Sequence, residues 1–236
     1  MPWLQRYATP LHILTTLGLY VQLALLAGVA SAPGVYAATR AWPATASWAA
    51  PLRVVAGCCL AWATYFSYTV CVIFVAGAFR FVTRASSPVG TFSFYSPQAI
   101  RWARYNAIAL LVRYTCVNFV RATPFLPIFH RMMGMKIGRH VIINTVIIAD
   151  SNLIEIGDDS VIGGDATLVG HAAERGMLMT APVKIGKRVT VGLMAVIFPG
   201  VTIGDDAVIA AGAVLPKGTT VGAGEIWGGV PARKIG

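Results

Sequence analysis

The sequence is poor in charge, and acidic residues are missing from its whole first part. Only 12% of the 236 residues are charged, whereas about 25% is usual in a soluble globular domain. None of the nine Asp and Glu residues precedes Asp150, so residues 1–149, with twelve Lys and Arg, carry +12 and the remainder carries −2. Since 56% of the residues are hydrophobic, disorder is excluded, and the uneven charge predicts two physically different parts.

Cysteine is also scarce, and its spacing offers no metal site. The four cysteines lie in apolar sequence without the spacing of metal ligands. They are Cys58, Cys59, Cys71 and Cys116. They are interpreted as buried thiols in a reducing compartment, and no metal is predicted.

Two long stretches lack any charged side chain. They cover 33 residues between Arg6 and Arg40 and 26 residues between Arg53 and Arg80. Because about 20 apolar residues cross a bilayer as a helix, they predict transmembrane helices at about residues 11–31 and 54–79, within an anchor of residues 1–97. Helix-stop chemistry at Ser31 to Gly34 predicts the end of the first helix. A cleaved signal peptide is the alternative, but the first apolar core is too long and the second run would stay unexplained.

The placement of basic residues predicts how this anchor is oriented. Only Arg40 and Arg53 lie between the two predicted helices, whereas nine Lys and Arg lie from Arg80 to Arg139. The positive-inside rule therefore places the N-terminus and everything after residue 80 in the cytoplasm. Residues 98–122 are interpreted as an interfacial helix with snorkelling arginines, and with Trp102, Tyr105 and Tyr114 at the bilayer boundary, in a connector of residues 98–135. A nucleic-acid-binding face is disfavoured because apolar residues separate these arginines.

An apolar residue recurs at every sixth position in the last part of the chain. The row is Ile185, Val191, Ile197, Ile203, Ile209, Leu215, Val221 and Trp227. This period is typical of a solenoid in which three hexapeptides, each a short strand and a turn, close one triangular coil. An earlier row, with a slip of one residue, is Ile137, Ile143, Ala149, Ile156, Ile162 and Leu168.

These residues carry a family resemblance. The segments KIGRHVIINTVIIADSNLIEIGDDSVIGGDATLVGH, VKIGKRVTVG and GGVPARKIG resemble the hexapeptide-repeat acyltransferases. The resemblance implies an all-β left-handed parallel β-helix at residues 136–236, joined here to an α-helical membrane anchor. The anchor, FLPIFHRMMGMKIG and an H-x-x-E motif look most like the membrane-attached C-terminal acyltransferase-like domains of polylysine-synthetase-type peptide synthetases.

The repeat is interrupted between Leu168 and Ile185, and this break is the candidate site. A break in a solenoid is expected to be an extruded loop, where functional residues tend to lie. His171 lies there, and imidazole is suited to take the proton of an acyl acceptor. The resemblance implies that His171 is the general base, with Glu174 three residues later as its helper. The alternative for Glu174 is a solvated acid that pairs with Arg175.

The resemblance also implies an acyl donor and its binding residues. The expected co-substrate is acetyl-CoA or another acyl-CoA. Lys217, Arg233 and Lys234 are the candidates for its phosphates, and Trp227 for its adenine. Each lysine is alternatively a solvated corner residue, and Gly228 to Pro231 match the family's ending. A three-histidine zinc site, as in γ-type carbonic anhydrases, is disfavoured because residues 136–236 contain only His140 and His171.

Together with these features, the resemblance implies an acyl-CoA-dependent O- or N-acyltransferase that is a homotrimer and works at the cytoplasmic face of a bacterial inner membrane. The anchor suggests a lipid-linked or membrane-associated acceptor. Acyl transfer to an amino or aminoacyl group is the runner-up. A non-catalytic trimeric scaffold for membrane partners is the alternative from another class, although it would leave the extruded segment and His171 unexplained.

Overall fold

Five α-helices make up most of the N-terminal part. The computed structural model describes the backbone of residues 2–236 and the side chains of residue 10 and of residues 13–236. The helices are α1 Pro2–Ala41, α2 Ala50–Thr83, α3 Pro97–Thr115, α4 Val117–Val120 and α5 Phe125–Met132, with a 3₁₀ turn at Trp42–Thr45. The hydrophobic core is continuous from α2 and α3 into the C-terminal strands. The division of the chain into residues 1–97, 98–135 and 136–236 stays a prediction.

The first two helices match the predicted membrane segments in length and composition. Ile13–Thr45 and Ala50–Thr83 have mean hydropathies of 1.9 and 1.8 and are long enough to cross a bilayer. Their outward faces are apolar, with Leu14, Leu17 and Leu25 between 56% and 67% exposed. Such faces are unfavourable in water and favourable in lipid.

The first helix does not end where the stop residues predict. It continues through Pro33 to Ala41, and the hydroxyl of Ser31 donates a hydrogen bond to the Ala27 carbonyl inside it. Gly34 lies against α2, where an added Cβ would come within 3.0 Å of the Thr64 carbonyl oxygen. This glycine is therefore a point of close helix packing, and the predicted stop at Ser31 to Gly34 is wrong.

Helix α3 has a buried face as well as a basic one. Ser96 caps it by accepting a hydrogen bond from the Ala99 N–H at 3.2 Å, and it ends at Thr115 rather than at residue 122. Tyr105, Ile108 and Val112 are fully buried. The face that carries these residues packs into the protein core. Contact with the membrane surface is therefore predicted only for the opposite, exposed face, which carries arginines.

The C-terminal part is a parallel β-helix. Strand β1 is Gly90–Ser93, and the remaining strands are β2 Lys136–Ile137, β3 Ile142–Ile143, β4 Ile148–Ala149, β5 Ile154–Ile156, β6 Val161–Ile162, β7 Thr167–Val169, β8 His171–Glu174, β9 Met177–Thr180, β10 Val183–Ile185, β11 Thr190–Val191, β12 Val196–Ile197, β13 Thr202–Ile203, β14 Val208–Ile209, β15 Val214–Leu215, β16 Thr220–Val221, β17 Ile226–Gly229 and β18 Ala232–Lys234. The strands form four sheets. Three are the faces of the β-helix, ordered β16-β13-β10-β5-β2, β18-β17-β14-β11-β6-β3 and β15-β12-β7-β4, and the fourth is β1-β9-β8.

Strand register confirms the six-residue repeat. Ile185 pairs with Ile203, which pairs with Val221, so one coil contains three hexapeptides. The apolar row from Ile185 to Val221 is buried. This arrangement of parallel strands in three sheets is consistent with the left-handed β-helix that the resemblance implies, and the predicted fold class is confirmed.

One position of the earlier row differs from the prediction. Ile148, not Ala149, pairs with Leu168 and is buried, at 4% exposure. The longer first coil is accommodated by a 3₁₀ turn at Ser151–Leu153. Asp150, directly before this turn, takes a left-handed backbone conformation with φ of 58°.

The extruded segment is a β-hairpin rather than a loop. Strands β8 and β9 pair antiparallel, and β1, from between α2 and α3, adds to the other edge of β9. Phe92 of β1, Leu178 of β9 and Ala99 of α3 form a small core beneath this sheet. The N-terminal part thereby packs directly on the segment that contains His171.

We expect His130 of α5 to make the protein sensitive to acid. Burial lowers the pKa of His130 from 6.5 to about 4, so between these values the unfolded chain binds a proton that the native protein does not. The free energy of unfolding should therefore fall by up to about 3 kcal/mol as the pH drops from 6.5 to 4. Thermal unfolding of detergent-solubilised protein across this range measures the effect.

The variant His130→Asn should flatten this pH dependence. His140→Asn is the matched control, because the His140 side chain is 80% exposed, and it should behave like the wild type. An unchanged pH dependence in His130→Asn would contradict the assignment.

Candidate active site

His171 forms a close pair with Asp150, a residue that the sequence analysis did not select. The distance from His171 Nδ1 to Asp150 Oδ2 is 2.5 Å. The Asp150 side chain is completely buried, whereas that of His171 is 25% exposed. The pair thus combines a carboxylate shielded from water with an imidazole that remains accessible.

Three further donors surround the same carboxylate. Its other oxygen, Oδ1, accepts hydrogen bonds from Ser87 Oγ at 2.6 Å, Trp102 Nε1 at 2.9 Å and Asn106 Nδ2 at 2.9 Å. Ser87 lies in the connection after α2, and the other two lie on α3. A buried charge is stable only when its hydrogen-bonding capacity is filled, and here the N-terminal part provides most of the donors.

These contacts determine the protonation state of Asp150. Burial by itself raises the pKa of this carboxyl group, but hydrogen bonds from His171, Ser87 and Asn106 outweigh burial and hold the pKa below its usual value. The carboxylate is therefore ionised at neutral pH and can only accept hydrogen bonds. It follows that Nδ1–H of His171 donates to Asp150, and that in the neutral imidazole Nε2 has the free lone pair.

Backbone geometry brings the two residues together. Gly170 precedes His171, and an added Cβ there would lie 2.9 Å from the Asp150 Cβ and 3.2 Å from the Leu153 Cβ. Only glycine allows this close approach of the hairpin to the turn after β4. The ring of Trp102 then packs edge-on against the imidazole, with ring centroids 4.9 Å apart.

Glu174 is placed away from this pair. Side chains alternate between the faces of a strand, so residues 171 and 174 of β8 point to opposite sides. The carboxylate of Glu174 accepts a hydrogen bond at 2.5 Å from Lys217 Nζ, and this contact lowers its pKa. The structure therefore pairs His171 with Asp150 and not with Glu174, which links the hairpin to the turn after β15.

The four predicted donor-binding residues separate into two groups. Trp227 on β17 and Lys234 on β18 share Glu225, with distances of 2.9 Å from the indole Nε1 and 3.0 Å from the Lys234 Nζ. Arg233, next to Lys234, pairs in register with Gly228. Hydrogen bonds from Trp227, Gly222 and Lys234 lower the pKa of Glu225 to about 2. Lys217 lies apart from this group, at the hairpin.

No cluster of three or more potential metal ligands from His, Cys, Asp and Glu occurs among the described residues. His140, the other histidine of the β-helix, binds Asp159 at 2.9 Å on the exposed surface of the first coil.

We expect the indole N–H of Trp102 to stabilise the protein measurably. The variant Trp102→Phe removes one hydrogen bond to a buried charge, which is worth about 1.5–3 kcal/mol. Its unfolding midpoint should therefore fall in thermal denaturation of the solubilised protein. Trp62→Phe is the matched control, because Trp62 is 57% exposed on α2, and equal midpoints for the two variants would refute the role of Trp102.

Comparisons with known proteins relate this β-helix to acyltransferases. A family model described as the hexapeptide repeat of succinyl-transferase matches residues 182–217. The delta-poly-L-ornithine synthetase of Acinetobacter baumannii is 26% identical over 147 residues, which are 62% of this chain and 11% of that protein. The galactoside O-acetyltransferase of Escherichia coli is 36% identical over 110 residues, which are 43% of this chain and 53% of that protein.

A solved structure shows a similar chain with a ligand. It is a galactoside acetyltransferase in complex with coenzyme A, 24% identical, with a TM-score of 0.46, and the match covers 62% of this chain and 85% of that one. The two relatives above are each matched over less than two thirds of their own length. Through its repeat and these sequence relatives, the chain is similar to hexapeptide-repeat acyltransferases.

Proposed function

We propose that the protein is an acyl-CoA-dependent acyltransferase in which His171 is the general base and Asp150 orients it. The observation that carries this proposal is the 2.5 Å contact between His171 Nδ1 and the buried Asp150 carboxylate. The contact leaves Nε2 as the free base, which is the arrangement that acyl transfer to a hydroxyl or amine requires.

This geometry supports a reaction in which His171 acts directly on the acceptor. The acceptor oxygen or nitrogen attacks the thioester carbonyl while Nε2 of His171 takes the acceptor's proton. Asp150 stabilises the imidazolium that forms. The tetrahedral intermediate then collapses, the carbon–sulfur bond breaks, and the proton on Nε2 passes to the departing CoA thiolate.

Direct transfer is favoured over a covalent acyl-enzyme. A nucleophilic Ser, Cys or Thr would be hydrogen-bonded to the base. Among the described residues, no side chain of these types hydrogen-bonds to His171, whose ring bonds to Asp150 and packs against Trp102. Donor and acceptor would therefore be bound together during the reaction.

The basic residues of the last coil are the proposed contacts for the CoA phosphates. Arg233 and Lys234 lie on β18, where Lys234 is in register with Trp227 and Arg233 with Gly228. The ammonium group of Lys234 is paired with Glu225. Lys217 remains a candidate near the hairpin, although its ammonium group is paired with Glu174. Acetyl-CoA is the proposed donor because the galactoside relative is an O-acetyltransferase.

We further propose that the protein works as a homotrimer at the cytoplasmic face of a bacterial inner membrane, anchored by α1 and α2. Their apolar, exposed surfaces support the anchor, and the family pattern of shared sites supports the trimer. A lipid-linked or membrane-associated acceptor follows from this location. Similarity to a poly-ornithine synthetase favours an amino or aminoacyl acceptor as the second candidate.

Acyl transfer should depend strongly on the His171 and Asp150 pair. We expect His171→Ala and Asp150→Asn each to lower kcat by about 10²–10⁴, because the first removes the base and the second disturbs its tautomer. Release of CoA from acetyl-CoA, followed with a thiol reagent in the presence of lipid-linked sugar and amine acceptors, measures the rate.

Glu174→Gln is the matched carboxylate-to-amide control, and it should retain activity within about tenfold, since only an exposed ion pair is lost. A larger loss in Glu174→Gln than in Asp150→Asn would reverse the assignment of the helper. If the protein neither binds CoA nor releases thiol with any acceptor, the proposed enzyme activity would be refuted and a scaffold role would be favoured.

A further inference from the structure

A small cavity lies between the first apolar helix and the candidate active site. Its volume is about 180 Å³. The lining is formed by Thr15 of α1, by Phe94 and Tyr95 after β1, and by Ala99, Ile100, Trp102 and Ala103 of α3. The cavity is therefore built by the N-terminal part alone, although it reaches the residues that hold Asp150.

Trp102 connects this cavity to the proposed base. Its ring forms part of the cavity wall, its indole N–H donates to Asp150, and its edge lies against the imidazole with centroids 4.9 Å apart. A molecule in the cavity would thus be separated from His171 by no more than one aromatic ring.

The position of the cavity relates it to the membrane. Thr15 lies near the start of the apolar stretch Ile13–Thr45, which the predicted orientation places at the cytoplasmic boundary of the bilayer. Larger grooves, such as one of about 630 Å³ lined by Val35, Ala38 and Trp42, lie along α1 and α2 and contain no residue of the candidate site. The smaller cavity joins Thr15 of α1 to Trp102, which donates to Asp150.

The residues that line the cavity favour an apolar ligand. Among the residues with described side chains, the lining contains no charged group and is formed mainly by aromatic rings and alanine methyl groups. A sugar or nucleotide would lose its hydration there without gaining enough hydrogen bonds. The volume is also below the roughly 300 Å³ of a site that encloses a drug-sized ligand, so a single slender chain fits better than a ring system.

We propose that this cavity binds a segment of an alkyl or prenyl chain that is attached to a substrate, and that it thereby holds the reacting group beside His171. The proposal rests on the acyltransferase function and specifies its substrate class. Such a chain could belong to a membrane-bound acceptor or to the acyl group of the CoA thioester. Either source has the same apolar chemistry, and experiment separates them.

Photoaffinity labelling of the full chain in phosphatidylcholine nanodiscs tests the proposal without requiring turnover. One arm uses a twelve-carbon primary alcohol with a diazirine at the chain end, and the other uses dodecanoyl-CoA with the same group. We expect saturable labelling of residues 94–103, mapped by mass spectrometry. Labelling by the alcohol identifies the acceptor chain as the ligand, and labelling by the thioester identifies the acyl chain.

Two variants fill the cavity from different positions on α3. Ala103→Phe and Ile100→Trp should each reduce this labelling roughly tenfold, because the larger side chain occupies volume that the bound chain would take. Ala38→Phe is the matched control, since it places the same side chain in the groove between α1 and α2 and should leave labelling unchanged. An unfolding midpoint for each variant confirms that the protein is folded.

Labelling that cannot be saturated, or that is confined to the outer faces of α1 and α2, would overturn the proposal. So would full labelling of both filled variants. His171→Ala should label like the wild type, because it retains the cavity. The thiol assay therefore tests the proposed acyltransferase function, and photoaffinity labelling separately tests whether the cavity binds an alkyl chain.

Discussion

The burial of one ionised carboxylate, that of Asp150, organises the structure around it. A charge with no exposure to water requires donors at both oxygens, and removal of a partner would leave an uncompensated buried group. The donors come from the connection after α2, from α3 and from the extruded hairpin. Since the carboxylate itself belongs to the first coil, four separate parts of the chain must meet correctly for it to be stable.

This requirement changes the role of the N-terminal helices. By composition, α1 and α2 resemble a simple anchor, and the exposed arginines of α3 suggest contact with a membrane surface. The opposite side of α3, however, contributes Trp102 and Asn106 to the carboxylate, and Tyr105 is buried in the shared core. The helical part is therefore a wall of the candidate site, in contact with the same aspartate that orients His171.

The candidate site residues of the β-helix lie where its repeat is irregular. From Ile185 to Trp227 the repeat is regular, and its inward side chains serve packing. Asp150 lies instead where the first coil has an extra residue, in a left-handed backbone conformation, and His171 lies on the hairpin that leaves the solenoid. Local departures from a regular pattern are often found at functional sites.

The period of six determined the solenoid and its coils without any tertiary information, because each hexapeptide repeats the same local alternation of inward and outward residues. The break after Leu168 likewise located His171. Its partner was decided by the tertiary structure. Glu174 is near in sequence, but strand alternation turns it to the other face, whereas Asp150, 21 residues away, and Trp102, 48 residues from that aspartate, meet only after folding.

The acid-free stretch that ends at Asp150 was visible in the sequence, and so was the slip of the repeat beside it. Neither indicated that this aspartate would be buried, since burial depends on which distant groups can donate to it. The arginines next to Trp102 in sequence predict a position at the bilayer boundary for its indole. A helix has two faces, however, and only the packing of α3 against the coils decided that the indole faces the carboxylate.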